Sequence, residues 1–168
     1  MTEKECELHN SGLNYIAGVD EAGRGPLAGS VFAAAVIMDA DKYIPDIKDS
    51  KKLSEKKREQ VYEYIVQNAL AYSVFAVDEQ EIDRINILNA THKAMNGAVD
   101  GLSIKPDMVV IDGNSIKNME LPHETIVKGD ATVACIAAAS ILAKVSRDRY
   151  IRMLDSAYPQ YNFAKNKG

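Results

Sequence analysis

The stretch from Gly18 to Met38, GVDEAGRGPLAGSVFAAAVIM, carries most of the architectural information in this chain. A short apolar run delivers two adjacent carboxylates, Asp20 and Glu21, into a glycine-rich loop that holds one cation, Arg24. The segment after the loop separates two architectures. Gly23 to Ala28 satisfies G-x-G-x-x-A, the fingerprint of a dinucleotide-binding turn, and Asp46 and Asp49 lie about twenty residues on. Such a turn has to open a helix. Ser30–Met38 instead carries Val31, Phe32, Val36 and Ile37, which suit a strand, with helix the alternative because of Ala33, Ala34 and Ala35. Pro26 also removes one amide from the phosphate cradle, and Asp20 and Glu21 would repel a pyrophosphate. A nucleotide-dependent oxidoreductase is therefore the rival reading. The favoured one is strand, loop, strand, with glycines that let bare backbone approach a ligand and with Arg24 and loop amides as donors.

On either side of this stretch the pattern alternates between strands and helices. Tyr15–Val19 reads as a strand ending at Asp20, and Asp39–Leu53 as a loop. Ser54 caps a helix running to about Ala69, and Ala69–Val77 is a further strand. Glu79–Gly101 has helical spacing at Ile82, Ile85, Leu88, His92, Met95 and Val99, with Gly101 as its C-cap. Met108–Ile111 is a buried strand that ends at Asp112-Gly113, and His123–Val127 a short one. Thr132 to about Ala157 is a long helix whose first half, TVACIAAASILAKV, is small and apolar enough to lie close against a sheet. The order predicts an α/β or α+β layer fold, a mixed sheet flanked by helices. Residues 1–13 form a polar, loosely ordered tail, and one domain spans 14–168.

Three chain segments place an acid at a strand end or helix start: Asp20 with Glu21, Asp112, and Asp130. Strand ends converge on one rim of such sheets, and converging carboxylates repel unless protonated or bridged by cations. Oxygen-only ligands select hard ions such as Mg²⁺ or Mn²⁺. Each acid also has a plainer reading: Asp130 as a helix N-cap, Asp112-Gly113 as a turn. Asp20 and Glu21 alternate on an ideal strand, so a shared site requires the strand to end or bulge at Glu21. Lys48, Lys51, Lys52, Lys56, Lys57 and Arg58 form a basic cluster, either a solvated helix entrance or a set of phosphate contacts. Lys144, Arg147, Arg149 and Arg152 on the long helix could supplement it. His92 falls on an apolar helix face, where a satisfied, partly buried histidine is the ordinary reading.

The chain has 168 residues, 46 % of them hydrophobic, and a formal charge of -4. That composition supports one buried core and excludes a global basic field for nucleic acid. Cys6 and Cys135 read as free thiols of a reducing cytoplasm. Residues 1–13 lack the apolar core of a secretory signal, and no apolar run is long enough to span a membrane.

GVDEAGRGPLAG, DSKKLS (Asp49–Ser54), INILNATHKAM (Ile85–Met95), VVIDGN (Val109–Asn114), KGDA (Lys128–Ala131), IAAASILAKVSRDR (Ile136–Arg149) and YPQYNFAKNKG together resemble bacterial ribonuclease HII, a type 2 ribonuclease H. The blocks follow the family's order and cover nearly the whole chain beyond the tail. The resemblance implies a ribonuclease H-like fold with a central mixed five-stranded sheet flanked by helices. It implies endonucleolytic cleavage of RNA in RNA-DNA hybrids and at single ribonucleotides embedded in duplex DNA, leaving 3′-hydroxyl and 5′-phosphate ends. The family's metal-binding acids fall on Asp20, Glu21, Asp112 and Asp130, which by resemblance hold two Mg²⁺ or Mn²⁺ ions. Its Gly-Arg-Gly motif, which recognises the 2′-hydroxyl, falls on Gly23, Arg24 and Gly25. Its substrate-sensing tyrosine falls on Tyr161, and its lysine-rich loop suggests phosphate contacts from Lys51 or Lys52. The family pattern continues past Lys167-Gly168 into a further C-terminal segment, which would help to hold the duplex. The sequence itself calls for no membrane partner and demands nothing more than a monomer.

Overall fold

The computed structural model describes residues 1–25, 29–42, 47 and 53–161, with the side chain of Tyr161 excepted. The strands are β1 (Ile16–Ala22), β2 (Val31–Met38), β3 (Ala69–Val77), β4 (Met108–Asp112) and β5 (His123–Ile126). The helices are α1 (Glu3–Asn10), α2 (Glu55–Asn68), α3 (Glu79–Ile85), α4 (Ile87–Asp100), α5 (Gly129–Thr132) and α6 (Ala134–Ala157), followed by a 3-10 turn at Pro159–Tyr161. The sheet order is β3-β2-β1-β4-β5. β1 runs antiparallel to β2 and parallel to β4, β2 antiparallel to β3, and β4 parallel to β5. This is the mixed five-stranded sheet expected of a ribonuclease H-like fold. Because a strand comes after the glycine loop, the dinucleotide-binding reading fails on topology.

Each face of the sheet has its own core. On one face, Ala34 and Val36 pack against Ile141 and Leu142 of α6 and Val61 and Ile65 of α2. On the other, Val19, Ala33, Ala35, Val109 and Ile111 pack against Ala90, Ala94, Met95 and Ala98 of α4. α6 lies on β1 as its small residues predict. An added Cβ on Gly18 would stand 2.1 Å from the Cys135 carbonyl carbon, so only glycine admits the helix there.

Several boundaries differ from the sequence reading. The polar tail is not loose: it folds as α1 and buries Leu8 and Glu5. Glu5 Oε2 accepts from the Thr2 backbone N–H at 2.7 Å and from its hydroxyl at 2.8 Å. Glu5 Oε1 accepts from the Cys135 N–H at 2.8 Å. α6 starts at Val133, whose side chain cannot cap, so a carboxylate from the far end of the chain satisfies one of its first amides. Glu5→Ala is expected to lower stability by about 2 kcal/mol, because a charge-assisted bond is lost and a buried donor is left open. A urea midpoint equal to wild type would refute this docking role.

The helix expected over Glu79–Gly101 is two helices. Asn86 has φ 68°, ends α3, and accepts from the Asn89 N–H at 3.0 Å to cap α4. Asparagine tolerates positive φ better than most residues, which is how one position both stops and restarts the chain. The helix expected from Thr132 is divided at Val133, which is extended at φ -122°.

Candidate metal centre

Strand parity places the acids. Val19 and Ile111 pair in the parallel β1–β4 ladder and both face α4. Asp20 and Asp112 each come one residue later, so they stand side by side and turn to the α6 face. Asp20 is buried, at 5 % exposure. Its Oδ1 accepts from the Glu21 N–H at 2.7 Å, which folds the carboxylate along its own backbone toward the rim. The Ser140 hydroxyl of α6 donates to it as well.

β1 neither ends nor bulges at Glu21, contrary to the requirement drawn from alternation. It pairs in unbroken register to Ala22, opposite Phe32. The rim position reconciles the two: Glu21 leans in from the α4 side, close enough to share a hydrogen bond with Asp20 and to feel the Asp112 charge.

β5 delivers the fourth acid. Asp112 pairs with Ile126, and Lys128 turns the chain through left-handed φ 57°. The Gly129 N–H then donates to Asp112 Oδ1 at 2.7 Å. An added Cβ on Gly129 would meet Ile136 Cδ1 at 2.6 Å, so the close approach depends on glycine. Asp130 comes next, in the first turn of α5, and is buried. It does not cap α6, whose N-cap is Val133.

Burial and repulsion among the carboxylates dominate the electrostatics of Asp20 and Glu21. Burial first, then the Glu21 charge, hold the Asp20 carboxyl well above its ordinary range, with Asp112 adding to the effect. Burial raises Glu21 as well, opposed by Arg24 and reinforced by Asp112. Arg24 Nη1 stands 3.8 Å from Glu21 Oε1 with its side chain half exposed. Among the described residues, no group of three acidic, histidine or cysteine side chains is placed so that it could hold a metal ion. The donor set nonetheless suits a hard divalent ion: it offers oxygen ligands, and a cation would relieve their mutual repulsion.

The glycine loop divides by role. Gly23 has φ 102°, and an added Cβ there would meet Arg147 Nε at 2.5 Å and the Ser30 carbonyl at 2.8 Å. Gly25 faces open space. Gly23 thus seats the loop on α6, while Arg24 and Gly25 are presented outward beside Glu21. Lys51 and Lys52 lie outside the described residues, as do Lys48 and the Tyr161 side chain; Tyr161 itself closes the 3-10 turn.

The basic residues of α6, which by sequence could supplement the phosphate contacts or be surface charges only, are engaged within the protein. Arg149 bonds Glu59 at 2.6 Å and Glu63 at 2.9 Å, and Arg152 bonds Glu59 at 3.1 Å. Lys144 pairs with Asp148 at 3.0 Å, and Arg147 is buried. Nearby, Arg58 spends Nη2 on the Leu53 carbonyl at 3.0 Å. Ser140 is a site neighbour that the sequence reading missed, and Arg147, read there as a possible phosphate contact, instead lies against Gly23. The only signal for Ser140 was its place one turn or more along the helix that packs on β1.

A family profile described as Ribonuclease HII matches residues 17–168. A ribonuclease HII of Caldicellulosiruptor bescii is 55 % identical over 99 % of this chain and 81 % of its own length. The crystal structure of the ribonuclease H2 from Pyrococcus horikoshii OT3 superposes with a TM-score of 0.75 at 31 % identity, over 86 % of this chain and 77 % of that one. The Bst ribonuclease HIII in complex with Mn²⁺ shares the fold at a TM-score of 0.70 and 20 % identity, over 85 % of this chain and 55 % of that one. This chain belongs to the ribonuclease HII family and is a ribonuclease H hydrolase.

Proposed function

We propose that the chain cleaves the RNA strand of RNA-DNA hybrids and single ribonucleotides embedded in duplex DNA, with Asp20, Glu21, Asp112 and Asp130 holding two Mg²⁺ or Mn²⁺ ions. The observation that carries this reading is the placement of Asp20 and Asp112, each one residue past the paired Val19 and Ile111 of adjacent parallel strands, with the Gly129 N–H of the next turn bonded to Asp112. The Mn²⁺ of the Bst ribonuclease HIII supports the choice of ion. Bound there, divalent ions would supply an activated water and charge neutralisation at the scissile phosphate. The carboxylates hold the ions, and Ser140 and the Gly129 amide fix the carboxylates. Cleavage on the 5′ side of the ribonucleotide, giving 3′-hydroxyl and 5′-phosphate ends, completes the proposal.

Gly23, Arg24 and Gly25 are proposed to read the 2′-hydroxyl, the group that distinguishes RNA from DNA. The open space at Gly25 and the exposed Arg24 guanidinium support this. Tyr161, Lys51 and Lys52 are proposed as substrate contacts on the resemblance alone. The protein is proposed to act as a monomer in the cytoplasm; among the described residues no helix is long and apolar enough to cross a membrane.

The test is cleavage of a labelled DNA duplex carrying one ribonucleotide, with Mg²⁺ or Mn²⁺ and with chelator. Metal-dependent cutting at the ribonucleotide is expected, and equal cutting in chelator would overturn the metal assignment. Arg24→Ala is expected to lower kcat/KM at a single ribonucleotide by about tenfold, the loss of a charge-assisted contact. Unchanged kinetics on that duplex would remove Arg24 from the recognition role.

A further inference from the structure

The chain has three histidines. His9 sets Nδ1 against the Leu13 carbonyl at 2.8 Å, and His123 sets Nδ1 against the Leu121 carbonyl at 2.9 Å. His92 is 5 % exposed, and among the described residues its Nδ1 has no hydrogen-bond partner. The ordinary reading of a satisfied core histidine therefore fails. A buried polar atom left open in this way calls for a ligand or another cause.

His92 lines a groove whose walls are α4 and the segment from Lys117 to Leu121. That segment continues the chain from Asp112, so one wall begins at the acid rim. The other wall begins there too. β3 ends with Val77 opposite Val31, at the same end of the sheet as Ala22, and α4 starts shortly afterwards. Asn96 ties the walls together, with Nδ2 donating to the His92 carbonyl at 2.7 Å and to the Lys117 carbonyl at 2.8 Å. The groove encloses about 1340 Å³. That exceeds the roughly 300–1,000 Å³ of pockets built for compact ligands and suits an extended polymer.

The cations that line the groove beside His92 are Lys93 and Lys117. Burial, then the Lys117 and Arg24 charges, disfavour the imidazolium of His92, and Lys117 lines the groove with it. Lys93 is committed to Glu81 at 2.6 Å. The acids of the groove are Glu120 and Asp100. Asp100 lies about 12 Å farther along α4 by helix rise, away from the rim. A buried imidazole whose Nδ1 is open among the described residues, in a groove that Lys117 also lines, offers a hydrogen bond to an anionic ligand.

We propose that this groove carries one strand of the duplex away from the acid rim, with His92 Nδ1 hydrogen-bonded to its sugar-phosphate backbone and Lys117 neutralising a neighbouring phosphate. The proposal rests on the nuclease reading above. It adds a strand path on the α4 face, the face from which Glu21 reaches the rim.

The test uses wild-type protein, His92→Gln and Lys117→Gln on single-ribonucleotide duplexes with short or long flanks. Long flanks are expected to improve kcat/KM in wild type, and each variant to reduce that long-to-short advantage about three- to tenfold through KM. Lys117→Gln is further expected to lower the salt slope of duplex binding by about one. Should His92→Gln not fold, ¹⁵N-histidine spectra of the catalytically silenced Asp112→Asn protein supply the second readout. The three histidines are few enough to resolve. Long-flank duplex is expected to shift His92 Nδ1 and to leave His9 unmoved. An unmoved His92 signal, or a long-to-short ratio equal to wild type in Lys117→Gln, overturns the groove while wild-type cleavage keeps the nuclease reading. Absence of cleavage by wild type overturns both.

Discussion

Asp112→Asn is expected to abolish metal-dependent cleavage, with kcat falling by at least about 10³-fold, while the protein keeps its fold. Metal ligation at a phosphoryl site contributes several kcal/mol to the transition state, and each 1.4 kcal/mol is about tenfold. The substitution removes charge and almost no volume. It also preserves the local architecture, because the Gly129 N–H bond at 2.7 Å needs only an oxygen acceptor, which asparagine retains. Loss of activity therefore cannot be attributed to release of the β5–α5 turn. The control is Gly129→Ala, which forces a Cβ to within 2.6 Å of Ile136 Cδ1 and displaces that turn by packing alone. Calorimetric titration with Mn²⁺ separates the two: Asp112→Asn is expected to lose binding heat with a melting temperature in chelator no lower than that of wild type. A variant that retains wild-type rate would remove Asp112 from the metal site.

The acids were legible because their placement obeys short-range rules. Asp20 and Asp112 each follow the last paired residue of two adjacent parallel strands, and that puts two carboxylates together whatever the loops do. What the sequence could not supply was how Asp20 and Glu21 serve one rim without a bulge. The answer is a rotamer and a backbone bond, Asp20 Oδ1 to the Glu21 N–H, and no residue pattern encodes that. The break at Asn86 was hidden because the apolar spacing continues through it; only a positive φ separates α3 from α4. α1 was missed for the opposite reason: it buries little besides Leu8 and is held by the long-range Glu5–Cys135 bond. The α6 arginines misled because charge was visible in sequence and pairing was not. Glu59 and Glu63 lie on α2, and only the packed helix pair brings them to Arg149. His92 misled in the same way, since burial could be read from its helix face and satisfaction could not.

Asp20→Asn is expected to inactivate the enzyme and, without metal, to make it more stable. Burial, then the Glu21 and Asp112 charges, raise the Asp20 carboxyl well above its ordinary range, so the folded chain holds this proton to higher pH than the unfolded chain does. Stability from such a group is fully present below its unfolded pKa, near 4 for an aspartate, and is lost as pH rises through the raised folded value. Glu21, raised by burial and by Asp112 against the pull of Arg24, behaves in the same direction. Divalent cations reverse the slope, because they bind the ionised form and stabilise by mass action. Asparagine removes the charge but keeps an oxygen for the Ser140 hydroxyl and the Glu21 N–H. In chelator at about pH 8 the gain should be on the order of 1 kcal/mol, or about 2–4 °C in melting temperature for a domain of this size. At about pH 4, where the wild-type carboxyl is protonated, the difference should shrink toward zero. With saturating Mg²⁺ the order should invert, since only wild type gains the full binding energy. The readout is the difference between the two proteins, so titrations elsewhere in the chain cancel. Asp20→Asn melting below wild type in chelator at alkaline pH would mean that Asp20 is held by partners rather than by a missing cation, and the site would then be a structural carboxylate cluster.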